Sequence, residues 1–194
     1  IEYNSAVVED TGYTLSNIVE WQSGNSITHD FTINPNFIVN TSPTSRYQIV
    51  SALDNNKALS IEQSNCNANN GECNIWIWSN NKDIGQKWMP AVESIVDGKV
   101  YYKIYHISDT NACLDVQWGE TSDGTPIQSY ICNSTDGQRF YLENAGDGYY
   151  YIKHKTSNKC LDVSNGQTVD GTKIQLYTCN GTPSQKWKFV QITN

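Results

Sequence analysis

Apolar and polar residues alternate over short stretches of this chain, and nowhere do apolar residues recur for long at the i, i+3, i+4, i+7 spacing of a helix. Lys173 to Tyr177 sets Ile174 and Leu176 on one face and Gln175 and Tyr177 on the other, the period of a half-buried β-strand. Ile27, His29, Phe31 and Ile33 alternate in the same way, and Phe37-Ile38-Val39 follows Pro35. Asp170-Gly171 and Asn180-Gly181 punctuate the strands, because positive φ costs little at such steps. The elements predicted are short strands joined by tight polar turns, an all-β fold.

The strand pattern repeats. Asn111-Ala112-Cys113-Leu114-Asp115-Val116 aligns with Asn158-Lys159-Cys160-Leu161-Asp162-Val163 at an offset of 160 − 113 = 47. Cys132 and Cys179 keep that offset (179 − 132 = 47), as do Gln138-Arg139-Phe140 and Gln185-Lys186-Trp187. Asp123-Gly124-Thr125 matches Asp170-Gly171-Thr172 without a gap. A divergent third copy lies upstream, with Asn56 to Ile61 in the place of Asn158 to Val163 and Gln86-Lys87-Trp88 in the place of Gln185 to Trp187. It carries a short insertion near Cys66 to Cys73 and has Ala58 and Asn80 where the other copies have cysteines. The copies fill roughly 47–92, 99–144 and 148–194. Units this short cannot each bury a core, but three packed around a pseudo-threefold axis can.

Composition narrows the function. The formal net charge is −7, and no basic stripe is present to meet a polyanion, so nucleic acid is excluded as a partner. No run of about 18 apolar residues could span a membrane, and no segment reads as a signal peptide. The chain is therefore read as processed and secreted, without membrane insertion. Six cysteines suit an oxidising compartment, although the count alone leaves their connectivity open. A metal site is disfavoured: the cysteine spacings are not Cys-x-x-Cys, and His29, His106 and His154 stand near no cysteine. No nucleotide loop or nucleophile elbow is present, and no second acid stands near Asp162 in sequence for glycoside cleavage. No cofactor, metal or catalytic residue is expected.

Gln-x-Trp or Gln-x-Phe closing each of three repeats, with Cys-Leu-Asp-Val opening two, resembles the ricin B-chain-type (R-type) lectin family over residues 47–194. The resemblance implies a β-trefoil, a six-stranded barrel capped by three hairpins, with Trp88, Phe140 and Trp187 in its core. It pairs Cys113 with Cys132 and Cys160 with Cys179, which leaves Cys66 and Cys73 for each other. It also implies sugar binding without catalysis, with galactose-type ligands the commonest. The third repeat would supply Asp162, Gln175, Tyr177, Asn180 and Gln185. The second would supply Asp115, Gln128, Tyr130, Asn133 and Gln138. In each set a carboxylate accepts two sugar hydroxyls, a tyrosine covers the C–H face, and amides fix orientation. The closing Gln either steadies the Asp or reaches a hydroxyl. Many relatives carry Asn before that Gln; here Ser184 and Gly137 stand there, which ranks the third repeat above the second.

The first repeat lacks the acid, because Ser60 takes its place. Trp76 and Trp78 nevertheless fall on the outward face, with Ile75 and Ile77 inward, and form a possible aromatic contact patch unless the insertion folds over it. Residues 1–46 form an extension, too apolar for a linker and too short for a domain, that packs on the trefoil or on a partner subunit. The leading expectation is a lectin for cell-surface or polysaccharide glycans. Two alternatives share the fold: a cell-binding or delivery subunit of a multi-chain bacterial toxin, and the sugar-binding module of a glycoside hydrolase.

Overall fold

The computed structural model describes residues 45–192 apart from 68 and 108. The expected strand at Ile27 to Ile33, and all of the extension before residue 45, lie outside the described residues. Twelve strands follow: β1 (Arg46–Ser51), β2 (Lys57–Ile61), β3 (Cys73–Ser79), β4 (Trp88–Val96), β5 (Lys99–His106), β6 (Asp109–Val116), β7 (Thr125–Ile131), β8 (Phe140–Gly146), β9 (Tyr149–His154), β10 (Cys160–Val163), β11 (Thr172–Tyr177) and β12 (Trp187–Ile192).

Their pairing closes a ring. β1 pairs with β4, β4 with β5, β5 with β8, β8 with β9, β9 with β12, and β12 with β1. All six pairings are antiparallel, so these strands form a barrel with no free edge. The other six form three hairpins, β2–β3, β6–β7 and β10–β11. β3, β7 and β11 also bridge one another in all three combinations, which draws the hairpins into a triangular cap. A six-stranded barrel under three mutually bridged hairpins is a β-trefoil, the fold that the family resemblance implies.

The core has threefold layers. Trp88, Phe140 and Trp187 are fully buried, as are Leu59, Leu114 and Leu161, and Ile49, Ile104 and Ile152. Burying a large aromatic removes about 150–250 Å² from water, but an indole must also place its N–H. Here Trp88 donates to the carbonyl of Leu59 at 3.0 Å and Trp187 to that of Leu161 at 3.1 Å. Each tryptophan thus ties a barrel strand to the cap hairpin of its own repeat. His106 and His154 are buried beside Trp88 and Phe140, with Nε2 3.1 Å from the carbonyls of Ile84 and Asp136.

The disulfides are Cys66–Cys73, Cys113–Cys132 and Cys160–Cys179. The latter two each close a loop of 19 residues, a constraint worth about 3 kcal/mol against the unfolded chain. Neighbouring repeats are clasped through the turn before the inner hairpin strand. Asp170 of the third repeat accepts from the Ser79 amide at 2.6 Å and from Lys57 at 2.6 Å. Asp123 of the second accepts from the Thr178 amide at 2.8 Å and from Lys159 at 2.8 Å. The third link uses backbone alone: the Ile131 amide donates to the carbonyl of Asn70, within the insertion, at 2.7 Å.

Candidate functional site

The β10–β11 hairpin buries Leu161, Val163, Ile174 and Leu176 beneath it, so the alternate residues face outward. Asp162 lies directly across from Gln175, and Cys160 from Tyr177. Asp162 and Tyr177 are therefore diagonal neighbours on one face, which is why they are 15 residues apart in sequence (177 − 162 = 15). Gln175 donates Nε2 to Asp162 Oδ1 at 2.9 Å. Asp162 is 5% exposed and Tyr177 38%, a carboxylate recessed beside an open ring.

The one-turn 3-10 helix Pro183–Gln185 closes the side of the hairpin. Gln185 is fully buried: it donates to the carbonyl of Thr178 at 3.0 Å and accepts from the Asn180 amide at 2.7 Å. Its amide also lowers the pKa of Asp162, so it steadies the carboxylate from behind. The Asn180 side-chain carbonyl accepts from the Thr182 amide at 3.1 Å, and Asn180 itself is exposed at the rim. Ser184 is turned to Thr182, with their hydroxyls 3.1 Å apart.

The second repeat builds the same arrangement on β6–β7. Asp115 faces Gln128, whose Nε2 donates to Oδ1 at 2.9 Å, and Tyr130 lies across from Cys113. Gln138 is fully buried in the turn Asp136–Gln138 and binds the Ile131 carbonyl and the Asn133 amide. The Asn133 side-chain carbonyl accepts from the Thr135 amide at 2.9 Å. Gly137 is fitted to the site: a Cβ there would stand 3.3 Å from the Val116 carbonyl oxygen and 3.6 Å from Asp115 Oδ2. Burial pushes both Asp115 and Asp162 above the ordinary carboxylate range, and the glutamine donors offset this only in part. Each site thus offers a recessed, amide-held carboxylate beside a phenol ring.

The sequence matches the family described as ricin-type beta-trefoil lectin domain-like, over residues 33–130, 85–177 and 136–194. The chain belongs to this lectin family. Among solved structures, the lectin fold is similar to ThreeFoil, a designed 3-fold symmetric protein, at 31% identity, TM-score 0.67, over 76% of this chain and 99% of that one. It is similar to 1,3Gal43A, an exo-beta-1,3-galactanase from Clostridium thermocellum, at 30% identity, TM-score 0.67, over 77% of this chain and 30% of that one. It shares its fold with a Polyporus squamosus lectin at 22% identity, TM-score 0.60, over 74% of this chain and 48% of that one. The chain thus spans less than half the length of the natural proteins named. No curated protein matches the sequence.

The first repeat of the lectin domain departs from the other two. Ser60 faces Trp76 and Ala58 faces Trp78, so the two tryptophans occupy the places of the glutamine and the tyrosine. Their rings lie 5.0 Å apart at 31°. The insertion does not cover them: Trp78 is 36% exposed, and Gln63 and Ser64, in the 3-10 turn Gln63–Asn65 that follows β2, form one side of a cleft of about 270 Å³ beside the pair. Asp83 is another residue of that cleft, and the sequence reading missed it. The alignment could have found it, since Asp83 sits where Thr135 and Thr182 stand in the other repeats (182 − 83 = 99 = 187 − 88). Trp118 was missed as well. It is 85% exposed at φ 54°, beside the second site, where the third repeat has Asn165 at φ 55°.

Proposed function

We propose that this domain is a non-catalytic lectin that holds one galactose-type sugar at Asp162 and another, more weakly, at Asp115. The observation that carries the reading is the matched pair of outward faces. In each, a carboxylate fixed by a cross-strand glutamine lies diagonal to an exposed or half-exposed tyrosine. The carboxylate accepts two neighbouring hydroxyls, the ring covers the C–H patch, and Asn180 and Asn133 lend amide donors at the rim. Gln185 and Gln138 are too deeply buried to reach a sugar and act by holding the carboxylate. The third site is the stronger, because its Tyr177 ring is exposed while Tyr130 of the second is only half-exposed.

A galactose-type ligand is supported by the likeness to a galactanase at 30% identity. The same likeness favours a second reading, in which the domain is the sugar-binding module of a longer glycoside hydrolase, since the match covers 30% of that enzyme. The resemblance to a mosquitocidal holotoxin, at 22% identity, extends to the fold alone. Three disulfides suit an extracellular setting, where the partners are cell-surface or polysaccharide glycans. A glycan array probed with the full chain tests the reading. Binding concentrated on terminal galactosides supports it, and an array without any bound glycan overturns it.

A further inference from the structure

The first repeat keeps the hairpin and exchanges its chemistry as a set. Where the other repeats place Asp162 or Asp115, Ser60 turns its hydroxyl to the Ile61 carbonyl at 3.3 Å. Trp76 stands in the place of the glutamine that holds the acid, and Trp78 in that of the tyrosine. The recessed carboxylate and the amide that orients it have gone together, and an aromatic floor replaces both. That floor is fixed along one edge by the Asp170-Gly171 turn of the third repeat: a Cβ on Gly171 would stand 3.7 Å from Trp76 Cε3 and 3.8 Å from Trp78 Cζ3. A carboxylate returns at the rim of the cleft, as Asp83. The Asn81 side-chain carbonyl accepts from the Asp83 amide at 3.0 Å, as Asn133 and Asn180 accept from Thr135 and Thr182. The turn that presents a threonine in the other repeats thus presents an acid here. Asp83 is exposed, and among the described residues no cation pairs with it. Among the same residues, no Lys, Arg or His lines the cleft.

We infer that this cleft is a site for a small quaternary-ammonium cation, a trimethylammonium headgroup of the choline type. The inference is independent of the galactoside sites. The carboxylates of those sites are held by a cross-strand amide, which sets them to grip two hydroxyls; the rim acid of the first repeat has no such amide. What the cleft combines is attraction for positive charge. Indole faces draw a cation through their π electrons, the unpaired carboxylate adds a full negative charge, and the whole chain carries −7. A primary ammonium such as that of lysine is strongly hydrated and must place three N–H donors, for which ring carbons offer no acceptor. A quaternary ammonium has no N–H, so it leaves water more readily and lays methyl groups on the ring. About 270 Å³ lies below the usual ligand-pocket volumes and suits a headgroup of this size. The headgroup then lies against the exposed Trp78, with Asp83 as its counter-charge. The same acid turns away anionic ligands.

The test is a titration of the full ¹⁵N-labelled chain with choline, with its uncharged carbon isostere dimethylbutanol, with cellotriose and with methyl β-galactoside. The indole N–H signals are followed, with those of Trp76 and Trp78 assigned through Trp76→Phe and Trp78→Phe. Choline should shift these two signals, and the isostere, of the same shape without the charge, should bind about tenfold more weakly. Asp83→Asn, at an exposed position, should weaken choline binding about fivefold, and Trp78→Ala about tenfold, with methyl β-galactoside binding unchanged in both. Phosphatidylcholine vesicles should not sediment the chain, because the lipid phosphate beside the headgroup meets Asp83; sedimentation would assign the same headgroup to a lipid. Four outcomes overturn the proposal: the two signals unmoved by choline, moved equally well by the isostere, moved by a sugar and not by choline, or moved by choline equally well in Trp78→Ala. If methyl β-galactoside binds while choline does not, only this inference fails. If choline binds while every sugar stays silent, only the galactoside reading fails.

Discussion

At the scale of single residues, Asp162 meets two opposed demands. Burial raises its pKa, so its ionised form is disfavoured in the folded protein, while charge-assisted hydrogen bonds to a sugar need that form. The sign follows from linkage. A carboxyl whose folded pKa lies above its unfolded value of about 3.9 opposes folding at neutral pH and contributes nothing well below that value. Asp162→Asn keeps the shape and removes the charge. It should leave the melting temperature at pH 7 unchanged or higher, while galactoside affinity falls about tenfold to a hundredfold, the loss of about 1.5–3 kcal/mol. Calorimetric titration and thermal melting of the same variant check both halves; a melting temperature lowered by several degrees would make Asp162 a structural residue. Wild-type binding should also fail on acidification at a pH above the ordinary Asp value. The place of Asp162 on the hairpin, across from Gln175, was legible because the repeat displayed it twice. The role of Gln185 was not, since donating to a carbonyl and donating to a sugar look alike in sequence.

At the scale of elements, the hairpins were legible and their joints were not. The offset of 47 marks β6–β7 and β10–β11 as equivalent, and alternation tells which face is buried. Asp123-Gly124 and Asp170-Gly171 read as turn punctuation, and both glycines do adopt positive φ. The carboxylates, however, clasp partners 55 and 91 residues away, a separation no local pattern reports. Burial pushes the Asp170 pKa up, but bonds from Lys57 and Ser79 outweigh it, and the net shift is downward. Such a group stabilises the fold above its unfolded pKa, and the contribution fades as pH falls below about 4. Asp170→Ala should therefore lower stability at pH 7 by about 1 kcal/mol, a modest figure because the side chain is 32% exposed and partly screened. Urea denaturation at pH 7 and near pH 3 checks this. The deficit should shrink at the lower pH, and an equal deficit at both would show that the clasp does not act through charge.

At the scale of the whole molecule, one ancestral pattern yields three unequal faces. The trefoil was legible because its core is threefold: the residues closing the repeats, Trp88, Phe140 and Trp187, are fully buried together. The first repeat was only half legible. Its tryptophans stood out, but the cleft beside them is walled by Gln63 and Ser64 of the turn after β2 and by Asp83, which lie elsewhere in sequence. The two proposed galactoside sites, one in each of two repeats, would gain from engaging one glycan surface together, so surface binding should depend on both more steeply than on either. The most direct measurement is surface plasmon resonance of the wild type and the Asp115→Asn/Asp162→Asn variant over a dense galactoside surface, with circular dichroism and melting alongside. The account predicts that the double variant folds as the wild type does and no longer binds. A double variant that binds the galactoside surface as well as the wild type would contradict it.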